Sequence, residues 1–430
     1  MIYILHFLTI YFCLRLLYKR AGNIALDPGL ILVFVTAFSV TANIFFYEFL
    51  VEEFNNNVWV LWESRESMQN IVLLNIIFTS IFTFFYLSVC KLQSYEKDTI
   101  SNQIYRTQYN PIYWVTVYVI VFILGQVLLA LNQTYVLTYW NNVIDLSFLI
   151  AISSVLLRIK GIRTTFFFFS IFILFTMFIY YPIIIGASEE EGYVVNKGGV
   201  VKMLVFCLVF LSLTKYQQLL VTPKKIVLGL LFLPIFIGFA NFIEGLSAGT
   251  PPSFVNLAIY SLSGYEFQIM ENQAIIFDDL EKNDLDLKYG ETYTRALYDI
   301  FIPTSGWKPP SQWFAERINL FKDVDDGSGY AFSFIAEGLL NFGTIGVAIA
   351  GLIAAILLSS LRLLYSIRVF LKPAIIASLI TLPYYVYRSD FSDVIKRIEF
   401  TAISFVILIC IYLIVKYILR QGTVTNNFSR

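Results

Sequence analysis

Long apolar runs recur along almost the whole chain, and the one long polar interval lies between Ser247 and Tyr330. A stretch of about 20 apolar residues satisfies its backbone polar groups inside a helix and is long enough to cross the hydrocarbon of a bilayer. Strands of a membrane barrel would instead alternate over about ten residues, and these runs do not alternate. With 58% hydrophobic residues and 41 Phe, the chain carries more apolar surface than a soluble core of ordinary size can bury. The fold class that follows is all-α, a polytopic integral membrane protein.

Hydropathy predicts about eleven spans, at 2–18, 29–50, 69–90, 112–131, 143–157, 164–186, 200–214, 226–245, 331–360, 373–387 and 399–419. The fifth, seventh and tenth are short, as expected of tilt-free or partly broken helices or of a count off by one. The organisation is then spans one to eight in 1–246, a large loop in 247–330, spans nine to eleven in 331–421, and a polar tail in 422–430. No basic region precedes the first run and Lys19 and Arg20 follow it, so it is expected to be a retained span with its amino end outside.

Lys+Arg and Asp+Glu balance at 30 each, so net charge points to no partner, but their placement is uneven. When alternate loops are assigned to opposite sides, Arg15, Lys19, Arg20, Lys91, Lys97, Arg106, Arg158, Lys160, Arg163, Lys215, Lys224, Lys225, Arg362, Arg368, Lys372, Lys416, Arg420 and Arg430 gather on one side, with only Asp27, Glu96 and Asp98 beside them. That side is cytoplasmic by the positive-inside rule. The large polar loop is therefore expected outside, and the carboxyl tail inside.

Several chemistries lack their residues. The only histidine is His6, in the first span, where a packed side chain is the simpler reading; a two-histidine zinc motif or a Ser-His pair has nothing to be built from. Cys13, Cys90, Cys207 and Cys410 lie in or beside apolar runs without paired spacing and read as small buried hydrophobes. Glycine fingerprints for nucleotides are missing. The acids Asp278, Asp279, Glu281, Asp284 and Asp286 read as a solvated stretch in preference to a divalent site, so no metal is expected.

Three polar clusters remain. In the outer loop, Arg295, Trp307, Lys308, Trp313 and Arg317 lie among Ile302-Pro303, Pro309-Pro310 and Gly327-Ser328-Gly329. Aromatic faces suit the CH face of a sugar and cations suit a pyrophosphate, while an interfacial aromatic belt with membrane-surface cations is the plainer alternative. At the start of the ninth span, Glu337 and Asn341 stand four apart and share a helix face, either as a functional pair or as a structural hydrogen bond. Gly346, Ala350 and Ala354 behind them form a small-residue stripe for close helix approach. After the tenth span come Arg388, Asp390, Asp393, Lys396, Arg397 and Glu399, an external group whose bases run against the positive-inside bias. An anionic ligand explains them, and so do ion pairs such as Arg388–Asp390 or Lys396–Glu399.

Taken together, Ile302-Pro303, Trp307-Lys308-Pro309, Glu337, Asn341-Phe342-Gly343, Gly346, Arg388 and Asp390 resemble the bacterial oligosaccharide repeat unit polymerases, the O-antigen polymerase family, over roughly residues 295–400. The resemblance implies a GT-C-like glycosyltransferase of the plasma or inner membrane, with its active site on the extracytoplasmic face. It would extend a surface polysaccharide of the O-antigen or capsule type from undecaprenyl-pyrophosphate-linked donor and acceptor repeat units. Membrane lipid and a chain-length regulator protein are the other implied partners. No cofactor and no nucleic acid are implied. In that scheme Glu337 serves as base with Asp390 behind it, and Arg388 takes the departing pyrophosphate. Arg295, Trp307, Lys308, Trp313, Arg317, Asn341 and Arg397 bind substrate. A flippase for lipid-linked oligosaccharide and an O-antigen ligase are the alternatives.

Overall fold

The computed structural model describes residues 1–21, 27–49, 65–90, 108–131, 134–176, 197–215, 269–301, 307–317, 331–364 and 370–428. Among the described residues every regular element is a helix. In chain order they are α1 (Ile2–Ala21), α2 (Pro28–Phe49), α3 (Arg65–Cys90), α4 (Pro111–Ala130), α5 (Thr134–Arg158), α6 (Ile162–Phe175) and α7 (Lys197–Thr214). Then come α8 (Ile269–Glu281), α9 (Glu291–Phe301), α10 (Pro310–Arg317), α11 (Phe334–Leu363), α12 (Lys372–Leu379), α13 (Leu382–Arg388) and α14 (Phe391–Phe428).

Six of these are long and apolar enough to cross a membrane: α1, α3, α4, α5, α11 and α14. Shorter apolar helices occur at Pro28–Ile44, Ile162–Phe175 and Lys202–Thr214. Their outward faces are apolar as well. α1 exposes Ile4, Phe7, Leu8, Tyr11 and Phe12, and α14 exposes Val406, Leu413, Ile414 and Ile418, surfaces that suit lipid and not water. This is a membrane protein, all-helical among the described residues. The eighth expected span, 226–245, lies outside the described residues, as do the turns at Ile302-Pro303 and Gly327-Ser328-Gly329.

Two expectations about individual segments change. The fifth span is no short helix, because α5 starts at Thr134 and runs through Arg158. Cys410 is exposed on the apolar face of α14 beside Val406 and Leu413, so it is a small lipid-side residue and not a buried one; Cys13 and Cys207 are buried as expected. The tenth span is broken as its length suggested, into α12 and α13, with Pro373 and Pro383 each in a first helical turn where the missing N–H leaves no bond unmade.

The chain forms two compact units. The first comprises Met1–Tyr95, Val221–Ile367 and Thr381–Lys396. In it α3 packs along α11, α1 and α2, and α13 packs on α2. Phe78, Phe82 and Tyr86 stack one turn apart on α3, with centroids 6.4 and 5.3 Å apart. Gly351 of α11 lets the two backbones approach, since a Cβ there would lie 3.0 Å from the Phe78 carbonyl oxygen. The second unit comprises Glu96–Leu220, Arg368–Ile380 and Arg397–Arg430. Its core is a cluster of rings, Tyr109 edge-on to Phe210 at 4.7 Å and Trp114 stacked on Tyr412 at 4.9 Å.

α11 is the element that positions the site. Ser333 caps it, accepting the Ala336 N–H at 3.2 Å, and is itself fixed by the Gln273 side-chain amide at 3.1 Å. The helix breaks at Phe342 (φ −140°, ψ 19°) and Gly343 (φ 61°, ψ −147°), the latter a conformation open essentially to glycine alone. A break leaves carbonyls without partners. Here the segment before α9 supplies them, since the Lys288 and Tyr289 N–H groups donate to the Leu340 and Asn341 carbonyls at 3.0 and 2.9 Å. Across the break Gly338 lies against Gly346, so the first residue of the expected stripe serves an intrachain contact, while Ala350 and Ala354 are buried as the stripe required.

Candidate functional site

The first turns of α11 carry Glu337, fully buried. One of its carboxylate oxygens accepts the Thr292 hydroxyl of α9 at 2.6 Å, and the other accepts the backbone N–H of Phe391, at the start of α14, at 2.6 Å. Asn341, one turn on, donates to the Glu337 carbonyl at 2.8 Å and to the Thr292 hydroxyl at 2.7 Å, and its side-chain oxygen accepts the Gly290 N–H at 3.0 Å. The face shared by Glu337 and Asn341 is thus the seat of α9.

Asp390, one residue before the Glu337 donor, is also fully buried. It accepts the N–H of Asp393 at 2.8 Å, closing the first turn of α14, and the N–H of Ser311 at 3.0 Å, in the first turn of α10. Burial raises the Asp390 carboxyl above the ordinary aspartate range, and the donated N–H groups only partly offset this. Two residues earlier, Arg388 donates to the Tyr384 hydroxyl at 2.6 Å with its guanidinium 5.7 Å from that ring.

α10 brings the loop aromatics and cations with it. Trp307 and Lys308 immediately precede it, and Trp313 and Arg317 lie on it, 5.9 Å apart as a cation over a ring. The cations of this rim are paired. Lys308 bridges Glu316, Arg317 bridges Asp279 at 2.9 Å, Arg295 bridges Glu291 at 2.8 Å, and Lys396 bridges Asp299 at 3.0 Å. Lys396 therefore finds its acid on α9, and Asp390 is held by amides instead of by Arg388. Arg397 begins the part of α14 that belongs to the second unit. Of the acidic stretch, Asp279 is committed to Arg317, and the Asp284 carbonyl also accepts from that guanidinium at 3.3 Å.

Thr292, Ser311 and Tyr293 escaped the sequence reading. Thr292 and Ser311 are single hydroxyl residues within the long polar interval, and only the three-dimensional path of 282–290 and 310–317 shows what they meet. The Tyr293 hydroxyl is buried with no partner among the described residues, and its ring stands edge-on to Phe391 at 5.5 Å.

No protein-family model, curated protein or solved structure matches the chain.

Proposed function

We propose that the protein is a membrane glycosyltransferase that polymerises undecaprenyl-pyrophosphate-linked oligosaccharide repeat units into a surface polysaccharide, working at the extracytoplasmic face of a bacterial plasma or inner membrane. One observation carries the reading. The Ser311 N–H bonded to Asp390 ties helix α10, which bears Trp313 and Arg317 and follows Trp307 and Lys308, to a residue two positions from Arg388, though the partners lie 79 residues apart in sequence. A site gripping a lipid diphosphate beside a sugar needs that juxtaposition of aromatic faces, cations and carboxylates.

In the transfer, the bond from the anomeric carbon to the pyrophosphate oxygen breaks and its electron pair leaves with the phosphate. An acceptor hydroxyl oxygen bonds to that carbon. Its proton passes to Glu337, whose two oxygens each hold one donor and so retain lone pairs for another, and from there to the departing pyrophosphate. Arg388, Lys308, Arg317 and Arg295 stabilise the leaving charge. Exposed ion pairs such as Arg295–Glu291 are worth about 0–1 kcal/mol, so exchanging a carboxylate for a diphosphate at this rim is a small step. Asp390 acts through position, by holding α10.

The test is a gel of surface polysaccharide. A deletion strain should collapse the ladder to a single repeat, and Arg388→Ala should do the same with protein level maintained. Complete loss of surface sugar in the deletion strain would favour export or ligation, and an unchanged ladder would end the polymerase reading.

A further inference from the structure

The polar cluster at the break of α11 contains one donor that no described residue uses. Tyr293 is 9% exposed, its hydroxyl oxygen is sealed from solvent, and no hydrogen-bond partner among the described residues lies within reach. A buried hydroxyl without a partner is destabilising, and the few that native structures retain call for an explanation. Packing does not supply one, because a phenylalanine ring would meet Phe391 edge-on equally well.

The neighbours of that hydroxyl narrow its use. Tyr293 follows Thr292, which donates to Glu337, and its ring contacts Phe391, whose N–H also donates to Glu337. Burial first, and the Glu337 carboxylate second, hold the phenol well above its ordinary range, so it stays protonated and remains a donor. A phenol donor close enough to the Glu337 carboxylate to feel its charge suits, together with that acceptor, a group that accepts from one and donates to the other. An alcohol hydroxyl does both, whereas a phosphate oxygen would face the uncompensated carboxylate and an ammonium would face the phenol hydrogen.

We infer that Tyr293 is a substrate-binding residue whose hydroxyl donates to the attacking hydroxyl of the acceptor sugar while that hydroxyl donates to Glu337. The inference rests on the polymerase reading and adds the acceptor end of the site to the pyrophosphate end at α10. It also explains why an unsatisfied group is retained beside Glu337, since its partner arrives with the substrate. Water offers the same hydroxyl chemistry and is the competing occupant.

The experiment compares Tyr293→Phe with Tyr298→Phe, an exposed tyrosine on the same helix, in membranes supplied with lipid-linked repeat units accumulated by the deletion strain. Tyr293→Phe should raise the KM for the repeat unit roughly tenfold, the size expected for one lost hydrogen bond, while the melting temperature of the purified protein stays level or rises. Tyr298→Phe should change neither. An unchanged KM would overturn the inference in favour of water or an idle hydroxyl, and a lowered melting temperature would overturn it in favour of a structural bond. If the deletion strain keeps a normal ladder, the polymerase reading falls and takes this inference with it, an outcome distinct from an unchanged KM against a collapsed ladder.

Discussion

The two ends of α11 bury carboxylates in opposite ways. At the Arg362 end, Asp27 lies 1% exposed and receives the Arg362 guanidinium at 2.9 Å, the Tyr86 hydroxyl at 3.0 Å and the N–H groups of Gly29 and Leu30. At the other end Glu337 and Asp390 are equally buried, yet their partners among the described residues are all neutral, two hydroxyl or amide donors each. A buried charge with a cation and a full set of donors is a lock. Two carboxylates on neighbouring elements without a cation are held there at a cost in stability, and such arrangements concentrate where chemistry is done. One end of this helix is its anchor and, on the proposed function, the other is its working end.

Asp27→Ala is the strongest way to break that contrast. It takes the carboxylate partner from the Arg362 guanidinium, only 11% exposed, and breaking one side of a buried ion pair destabilises by about 3–5 kcal/mol. Melting in detergent should fall accordingly, and adding Arg362→Leu should restore much of the loss. If the single variant melts like the wild type, the anchor reading is wrong. A smaller loss is expected at the break. Gly338→Ala places a Cβ 2.4 Å from the Gly346 carbonyl oxygen, backbone that cannot step aside, and overpacking of this kind costs about 1–3 kcal/mol. Polymer formation should fall with it, because the seat of α9 shifts, whereas unaltered melting would mean that the break flexes freely.

How much of this was legible in the residues follows from the range of the forces involved. Membrane helices were legible because a bilayer imposes a length and a composition on each span independently of the others. Glu337, Asn341, Arg388 and Asp390 stood out as candidates because polar groups in or beside an apolar run contrast with it. The break at Phe342–Gly343 was not, although Asn341-Phe342-Gly343 carries its signal. A helix periodicity survives on both sides of so short a break, and the Lys288 and Tyr289 amides that satisfy its carbonyls come from a separate segment far upstream, brought there only by the fold. The fate of the cations was equally hidden, since pairing of Lys396 with Asp299 or of Arg317 with Asp279 depends on which loop helix docks where. The place where the tenth span divides was hidden for a different reason: apolar runs as short as α12 and α13 can be one helix or two, and their prolines decide it locally.

The smallest effect sharpens the difference between the two carboxylate settings through pH. Asp390 has its carboxyl raised by burial with no cation among the described residues to pull it back, whereas the Asp27 carboxyl, also raised by burial, is opposed by Arg362. Below about pH 3.9, the ordinary aspartate value, the folded and unfolded chains both hold the Asp390 proton and the group is neutral toward stability. As pH climbs past that value the unfolded chain releases the proton first, so the folded state loses stability until pH exceeds the raised native value. Asp390→Asn cannot ionise and should lack this decline. Its stability plotted against pH should be flatter than that of the wild type from about pH 4 upward, the two slopes differing by at most about 1.4 kcal/mol for each pH unit climbed within that window. The amide also keeps only one acceptor oxygen for the Ser311 and Asp393 N–H groups, which lowers the whole curve without tilting it. Parallel curves for variant and wild type would mean that Asp390 meets a cation or solvent after all, and the working end of α11 would then be no different from its anchor.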